Sequence, residues 1–211
     1  MSSVDDATDP GRAARSGVQA EVYELKRERI LEAAAELFAD RGYNGTSMTA
    51  IADSLGATKP FVYYHFKDKH EILRETCRRG VVRALAALDT VLEGGGSCRD
   101  QLESATRSLA EVTLHQRAYA TVYSREMDRL SNEARSELAE LRRRFDRRLA
   151  ELIAEGCRRG EFEVSEPRVT ATCISTMIIY AYGWFREGGT LSATDVGGHL
   201  AMLANRMVKA G

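Results

Sequence analysis

At 211 residues, with 44% apolar residues and a formal net charge of −1, the chain has material for one large domain or two small ones and no global basic character. Residues 21–80 hold ten Lys/Arg against ten Asp/Glu, so any nucleic-acid binding must come from local placement of charge. The apolar run Ile174–Phe185 is too short to cross a bilayer, no leader-like pattern opens the chain, and Cys77, Cys98, Cys157 and Cys173 lack metal or disulfide spacing. A protein of the cytosol with reduced thiols, no metal and no cofactor is the expectation, with no membrane partner.

Residues 1–20 are rich in Ser, Asp, Ala, Gly and Arg without apolar periodicity, which predicts a disordered arm. Arg12, Arg15, Lys26 and Arg27 suggest an arm reaching a minor groove, but Asp5, Asp6 and Asp9 favour a solvated tail. From Val22 to Arg41 the positions Val22, Leu25, Ile30, Ala33, Ala34, Leu37 and Phe38 recur at helical spacing, and Gly42 ends the helix. Thr46–Lys69 then reads as a short helix, a turn at Gly56 and a second helix, the layout of a helix-turn-helix. Thr46 or Ser47 caps its first helix, Ile51 and Leu55 face the core, and Ala52 is small enough for a close helix crossing. Thr58 caps the second helix and Pro60 sits in its first turn. Asp68–Leu92 is a long helix, broken by Gly94, Gly95, Gly96 and Ser97. This glycine run reads as a linker rather than a phosphate cradle, since no strand precedes it and no Lys-Ser/Thr follows.

Helices are predicted over Arg99–Leu114, Arg117–Asp128, Glu133–Arg159, Pro167 to about Glu187, and Ser192–Val208. No strand-like alternation or internal repeat is visible. The fold class is all-α, organised as an arm (1–20), a helix-turn-helix domain (21–67) and a helical ligand-binding and dimerisation domain (68–211).

The run GATKPFVYYHFKDKHEIL resembles the DNA-binding signature of the TetR family of bacterial repressors, with Lys26–Gly42 as its lead-in. That resemblance implies a dimer on a palindromic DNA operator, with Thr49, Thr58, Lys59, Pro60, Phe61, Tyr63, Tyr64, His65 and Lys69 at DNA-contacting positions. Phe61 stands where a small residue is common, so it would make apolar contact with a thymine methyl or sugar edge. Val62 and Phe66 read as core. Tyr64 and His65 read as phosphate contacts on the opposite face, and Tyr63 as contacting either base edge or backbone.

The resemblance also implies a small-molecule pocket and a dimer interface in the second half. Ala171–Phe185 is apolar nearly all round its helix, which with Leu191–Val208 suits a four-helix interface between two subunits. His115, Tyr119, Tyr123 and Met127 recur at spacings of four, and Phe145, Leu149, Met177, Tyr180 and Trp184 are placed to face them. Core packing and pocket lining are both open for these residues. The closing segment resembles the subgroup governing lipid, steroid and aromatic-acid catabolism, where acyl-CoA thioesters act as effectors. Arg142, Arg143, Arg144, Arg147 and Arg148 could meet CoA phosphates, but interleaved Glu137, Glu140 and Glu151 favour a solvated ion-paired face. A helical enzyme or a protein-binding adaptor are the competing classes, and no catalytic motif supports the first.

Overall fold

The computed structural model describes residues 10–208, with side chains from residue 17 onward. Nine α-helices follow one another there: α1 (Pro10–Gly45), α2 (Met48–Ser54), α3 (Lys59–His65), α4 (Lys69–Glu93), α5 (Cys98–His115), α6 (Arg117–Glu126), α7 (Asn132–Arg158), α8 (Pro167–Ile179) and α9 (Ala193–Met207). Among the described residues there is no strand, and no helix is long and apolar enough to cross a membrane.

Local chemistry sets most helix starts. Ser47, Asp68, Ser97 and Ser131 each accept a hydrogen bond from the backbone N–H three residues on. Ser192 and Asp195 close a reciprocal capping box at the start of α9. Thr58 occupies the cap position of α3 in extended conformation, but its side chain makes no capping bond.

Two boundaries differ from the sequence expectation, while Gly42 breaks the first helix where expected. Helix α1 begins at Pro10, not Val22, so residues 10–20 are helical; residues 1–9 and the side chains of Arg12 and Arg15 lie outside what is described. Proline suits a first helical turn, and the segment beyond it escapes detection because periodicity reports burial, while Val18 and Leu25 are exposed. Gly42, at φ 72°, interrupts the regular helix before one further turn. Helix α8 stops at Ile179, and Tyr180–Gly183 form a tighter 3-10 turn, so Ala171–Phe185 is not one continuous helix.

Two apolar cores meet along α4 and α7. The first gathers Ile30, Leu31, Phe38, Ile51, Val62, Phe66, Ile72 and Leu73, and is completed by Val122, Leu130 and Leu138. The second holds Leu85, Leu88, Leu102, Leu109, Phe145, Leu149, Ile153, Ile174, Ile178 and Leu200. At its edge Gly156 lets Phe162 lie flat on α7: a β-carbon there would sit 2.1 Å from the ring.

Candidate DNA-reading head and effector cavity

The turn between α2 and α3 is built by the backbone. Gly56 takes φ 61°, and the N–H of Ala57 donates to Ala52 O at 2.9 Å, which reverses the chain and aims α3 outward. Seven residues then divide by face. Val62 and Phe66 are buried in the head core, whereas Lys59, Pro60, Tyr63 and Tyr64 are exposed, Tyr64 at 75%. Thr49 on α2 and Thr58 are exposed on the same head. Phe61 is half-buried and meets His65 edge-on, with ring centroids 5.1 Å apart.

His65 does not face outward. It is only 4% exposed, packed among Tyr23, Phe61 and Tyr64, with no partner for its Nδ1. The reason is arithmetic: His65 lies three residues after Val62 on the same helix, so it shares that face. Burial first, then the nearby charges of Lys26 and Arg27, hold its pKa below the usual histidine value.

Lys69, placed at a DNA-contacting position by the resemblance, is engaged within the head. Its ammonium donates to Tyr43 O and Thr46 O, each at 2.7 Å, and lies 4.1 Å from the Tyr43 ring centroid. Tyr43 O also accepts from the Thr46 N–H at 3.3 Å, and both carbonyls lie at the end of α1, where a cation is favoured.

Two contributors to the head lay unread in the sequence. The Arg27 guanidinium stacks over Phe66 at 4.1 Å, donates to His65 O and pairs with Glu71 at 3.9 Å, clasping α1 to the end of α3. It is thus engaged within the head rather than extended as an arm. Tyr23 packs on His65 at 4.7 Å and supports Tyr64 at 6.1 Å. The spacing Tyr23, Arg27, Ile30 marks this inner stripe, whereas Val22 and Leu25, counted as core, are exposed.

A cavity of about 270 Å³ opens between α4, α5, α6, α7 and the turn after α8. Of the residues left open between core and pocket, Tyr119, Tyr123, Met127, Phe145 and Tyr180 are on its wall. His115, Met177 and Trp184 are not. His115 closes α5 and points to solvent, its Nδ1 2.9 Å from Glu111 O, because the stripe it was assigned to is cut by the new helix at Arg117. Met177 packs at the second core, and Trp184, past the end of α8, is 56% exposed. The wall adds groups the sequence did not flag: Gln116, whose buried Oε1 has no partner, along with Thr113, Ser124 and Cys77. Burial pushes the Tyr119 hydroxyl and the Cys77 thiol each up to about 12.

Arg142 also belongs to this wall, 3.3 Å from Asp146. The other arginines of α7 are largely committed to carboxylates. Arg143 pairs with Glu140 at 2.8 Å, and Arg144 and Arg148 converge on Asp89 of α4 at 3.4 and 2.9 Å. Glu137 reaches Arg78 at 2.9 Å rather than its own helix. Among the described residues no cluster of metal-ligating side chains forms.

Residues 95–208 match the family model described as "Tetracyclin repressor-like, C-terminal domain", and residues 30–76 match "Bacterial regulatory proteins, tetR family". The chain belongs to the TetR family: it is a helix-turn-helix transcriptional regulator and not an enzyme. It is 28% identical to the transcriptional repressor KstR2 of Mycolicibacterium smegmatis over 82% of this chain and 85% of that protein. Its fold superposes on the ketosteroid transcriptional regulator KstR2 of Mycobacterium tuberculosis with TM-score 0.78, at 24% identity over 88% of this chain and 95% of that one. It also superposes on AibR, solved with isovaleryl coenzyme A and operator DNA, with TM-score 0.73, at 23% identity over 84% and 97% of the two chains. Regulators of this family bind DNA operators as dimers.

Proposed function

We propose that this chain acts in the bacterial cytosol as a homodimeric repressor of lipid-catabolic genes, binding a palindromic operator and leaving it when an apolar acyl-CoA-type effector fills the cavity. The observation that carries this reading is that one helix, α4, starts beneath the reading head and runs on through the wall of the cavity, which it lines with Cys77, Gly80, Val81 and Ala84. Thr49, Thr58, Lys59, Pro60, Tyr63 and Tyr64 form the outward surface for DNA, with Phe61 at its edge. Two such heads spaced about one helical turn apart, ~34–36 Å, match a two-fold operator. Exposed Val169, Tyr180, Trp184, Leu191, Met202 and Leu203 on α8, α9 and their connection supply the apolar face that a second copy would cover.

The effector class follows from the wall. It is apolar apart from Thr113, Gln116, Ser124, the tyrosines and Arg142, the last already paired with Asp146. Such a cavity suits an acyl or ring body, with Gln116 Oε1 as acceptor for a polar group, and offers no net positive charge for phosphates. A CoA head would therefore lie outside it, with the α7 guanidinium row nearby in sequence. AibR, with isovaleryl coenzyme A in its own structure, supports this reading by analogy of fold.

The test has two arms. Selection from random duplexes should return a palindrome, and thermal shift should respond to acyl-CoA thioesters more than to free acids or drug-like cations. Operator binding without any thioester response would sink the effector class alone. Failure to select any duplex would sink the DNA reading.

A further inference from the structure

Helix α6 presents different faces to the two regions. Tyr119, Ala120, Tyr123, Ser124 and Met127, the last just past its end, line the cavity. Its other side presses on the end of α1. Ala118 and Tyr119 pack with Ala35, and Arg125 donates to Ala39 O at 3.2 Å. Beside them is Glu126, a carboxylate only 7% exposed.

The partners of Glu126 explain its burial. Oε1 accepts from the backbone N–H of Tyr43 at 3.2 Å, and Oε2 accepts from Arg129 Nε. The Tyr43 N–H needs such a partner because Gly42, at φ 72° and ψ 165°, takes the preceding backbone out of the helical ladder. At the other end of the same turn, Lys69 of α4 grips Tyr43 O and Thr46 O. Thr46 closes it from within, its hydroxyl placed to donate to Gly42 O at 3.0 Å or Leu37 O at 3.1 Å. The next residue is Ser47, the cap of α2.

We propose that Glu126 is the positioning residue through which occupancy of the cavity reaches the reading head, acting on the Tyr43–Thr46 turn. This rests on the cavity being the effector site. Glu126 adjoins Met127 and lies three residues after Tyr123, so a ligand that displaces those wall residues displaces the carboxylate as well. A charged hydrogen bond with little water to replace it either moves its partner or breaks. Because the turn leads straight into α2 and so to α3, the angle of the DNA-reading face changes with it.

The test requires no known effector. A duplex selected by the wild-type protein serves as operator, and Ala120→Phe, with Thr113→Phe as a second filler, stands in for an occupied cavity. In the wild-type background a filler should lower operator affinity about tenfold, within the usual range of allosteric coupling, and in Glu126→Gln by less than about threefold. Glu126→Gln alone should keep the helical content and dimerisation of the wild type. It should also speed amide exchange over residues 43–47 about tenfold while leaving residues 30–38 unchanged. Equal filler effects in both backgrounds, fillers inert in the wild type, or unchanged exchange at Tyr43 would each overturn the proposal. If no duplex is selected, the DNA reading fails, and exchange still decides the clamp. If both fillers unfold the second half, exchange likewise decides it.

Discussion

In the reading head, residues that act together lie within a few positions. Ser47 accepts from Ala50 N–H, Asp68 from Glu71 N–H, and Val62 and His65 share one face of a seven-residue helix that Phe66 closes. In the effector half the cavity wall draws Cys77, Val112, Tyr123, Arg142 and Tyr180 from four helices and a turn. Function in the first region is therefore written in local spacing, and in the second in the convergence of distant helices. Substitutions should respect this difference: those in the head separate cleanly into folding and binding, whereas those around the cavity mix the two.

The largest effect should come from Phe66→Ala, which empties a fully buried site and removes the ring under Arg27. A loss of about 3–5 kcal/mol is expected, read by denaturant unfolding. Next is Gly156→Ala in the effector half. Its β-carbon would collide with Phe162, costing about 1–3 kcal/mol by the same measurement. A neutral result there would mean that the second core tolerates repacking and would blur the contrast.

Lys59→Ala and Tyr64→Ala should do the opposite of Phe66→Ala, leaving the melting temperature nearly unchanged. Both side chains are exposed, so the loss should appear as weaker binding to all duplexes. For Lys59→Ala the salt dependence should flatten by about 0.9 per phosphate contact removed, seen by anisotropy titration across ionic strength. A change in sequence preference instead would move Lys59 from backbone to base contact.

The smallest effect concerns His65. Its folded pKa is depressed, by burial first, so the unfolded chain takes up a proton at higher pH than the folded one. Its contribution is complete above the unfolded value of about 6.5 and is lost as pH falls through and below it. Melting curves at about pH 7.5 and 5.5 should show a smaller loss for His65→Asn than for the wild type. Equal losses would imply that the imidazole finds water.

What the sequence disclosed follows the same division. The helix-turn-helix, the Ser47 and Asp68 caps and the exposed tyrosines were readable because each is specified by neighbours three or four residues away. His65 was placed on the wrong face although the same counting sets it with Val62, three residues earlier. The internal role of Lys69 went unread for a different reason: its partners are the carbonyls of Tyr43 and Thr46, at the end of an earlier helix, and no local pattern encodes them. Around the cavity, Tyr119, Tyr123 and Met127 were found because they share one stretch of chain. Gln116 and Arg142 were missed as wall groups because polar residues in charged helices read as solvated. His115 was over-read because a spacing of four was continued across a helix break. The helical start at Pro10 was hidden because exposed helices carry no apolar period.

Cys77 gives the proposed effector class a chemical consequence. Its thiol stands in the cavity wall, where an acyl thioester could in principle exchange its acyl group. Burial pushes the thiol up to about 12, so it stays protonated near neutral pH, and the thiolate is the nucleophile. The wall is thus chemically silent toward such a ligand. A sensor built this way reads the effector by shape and releases it unchanged, so its response is reversible with concentration rather than a record of past exposure.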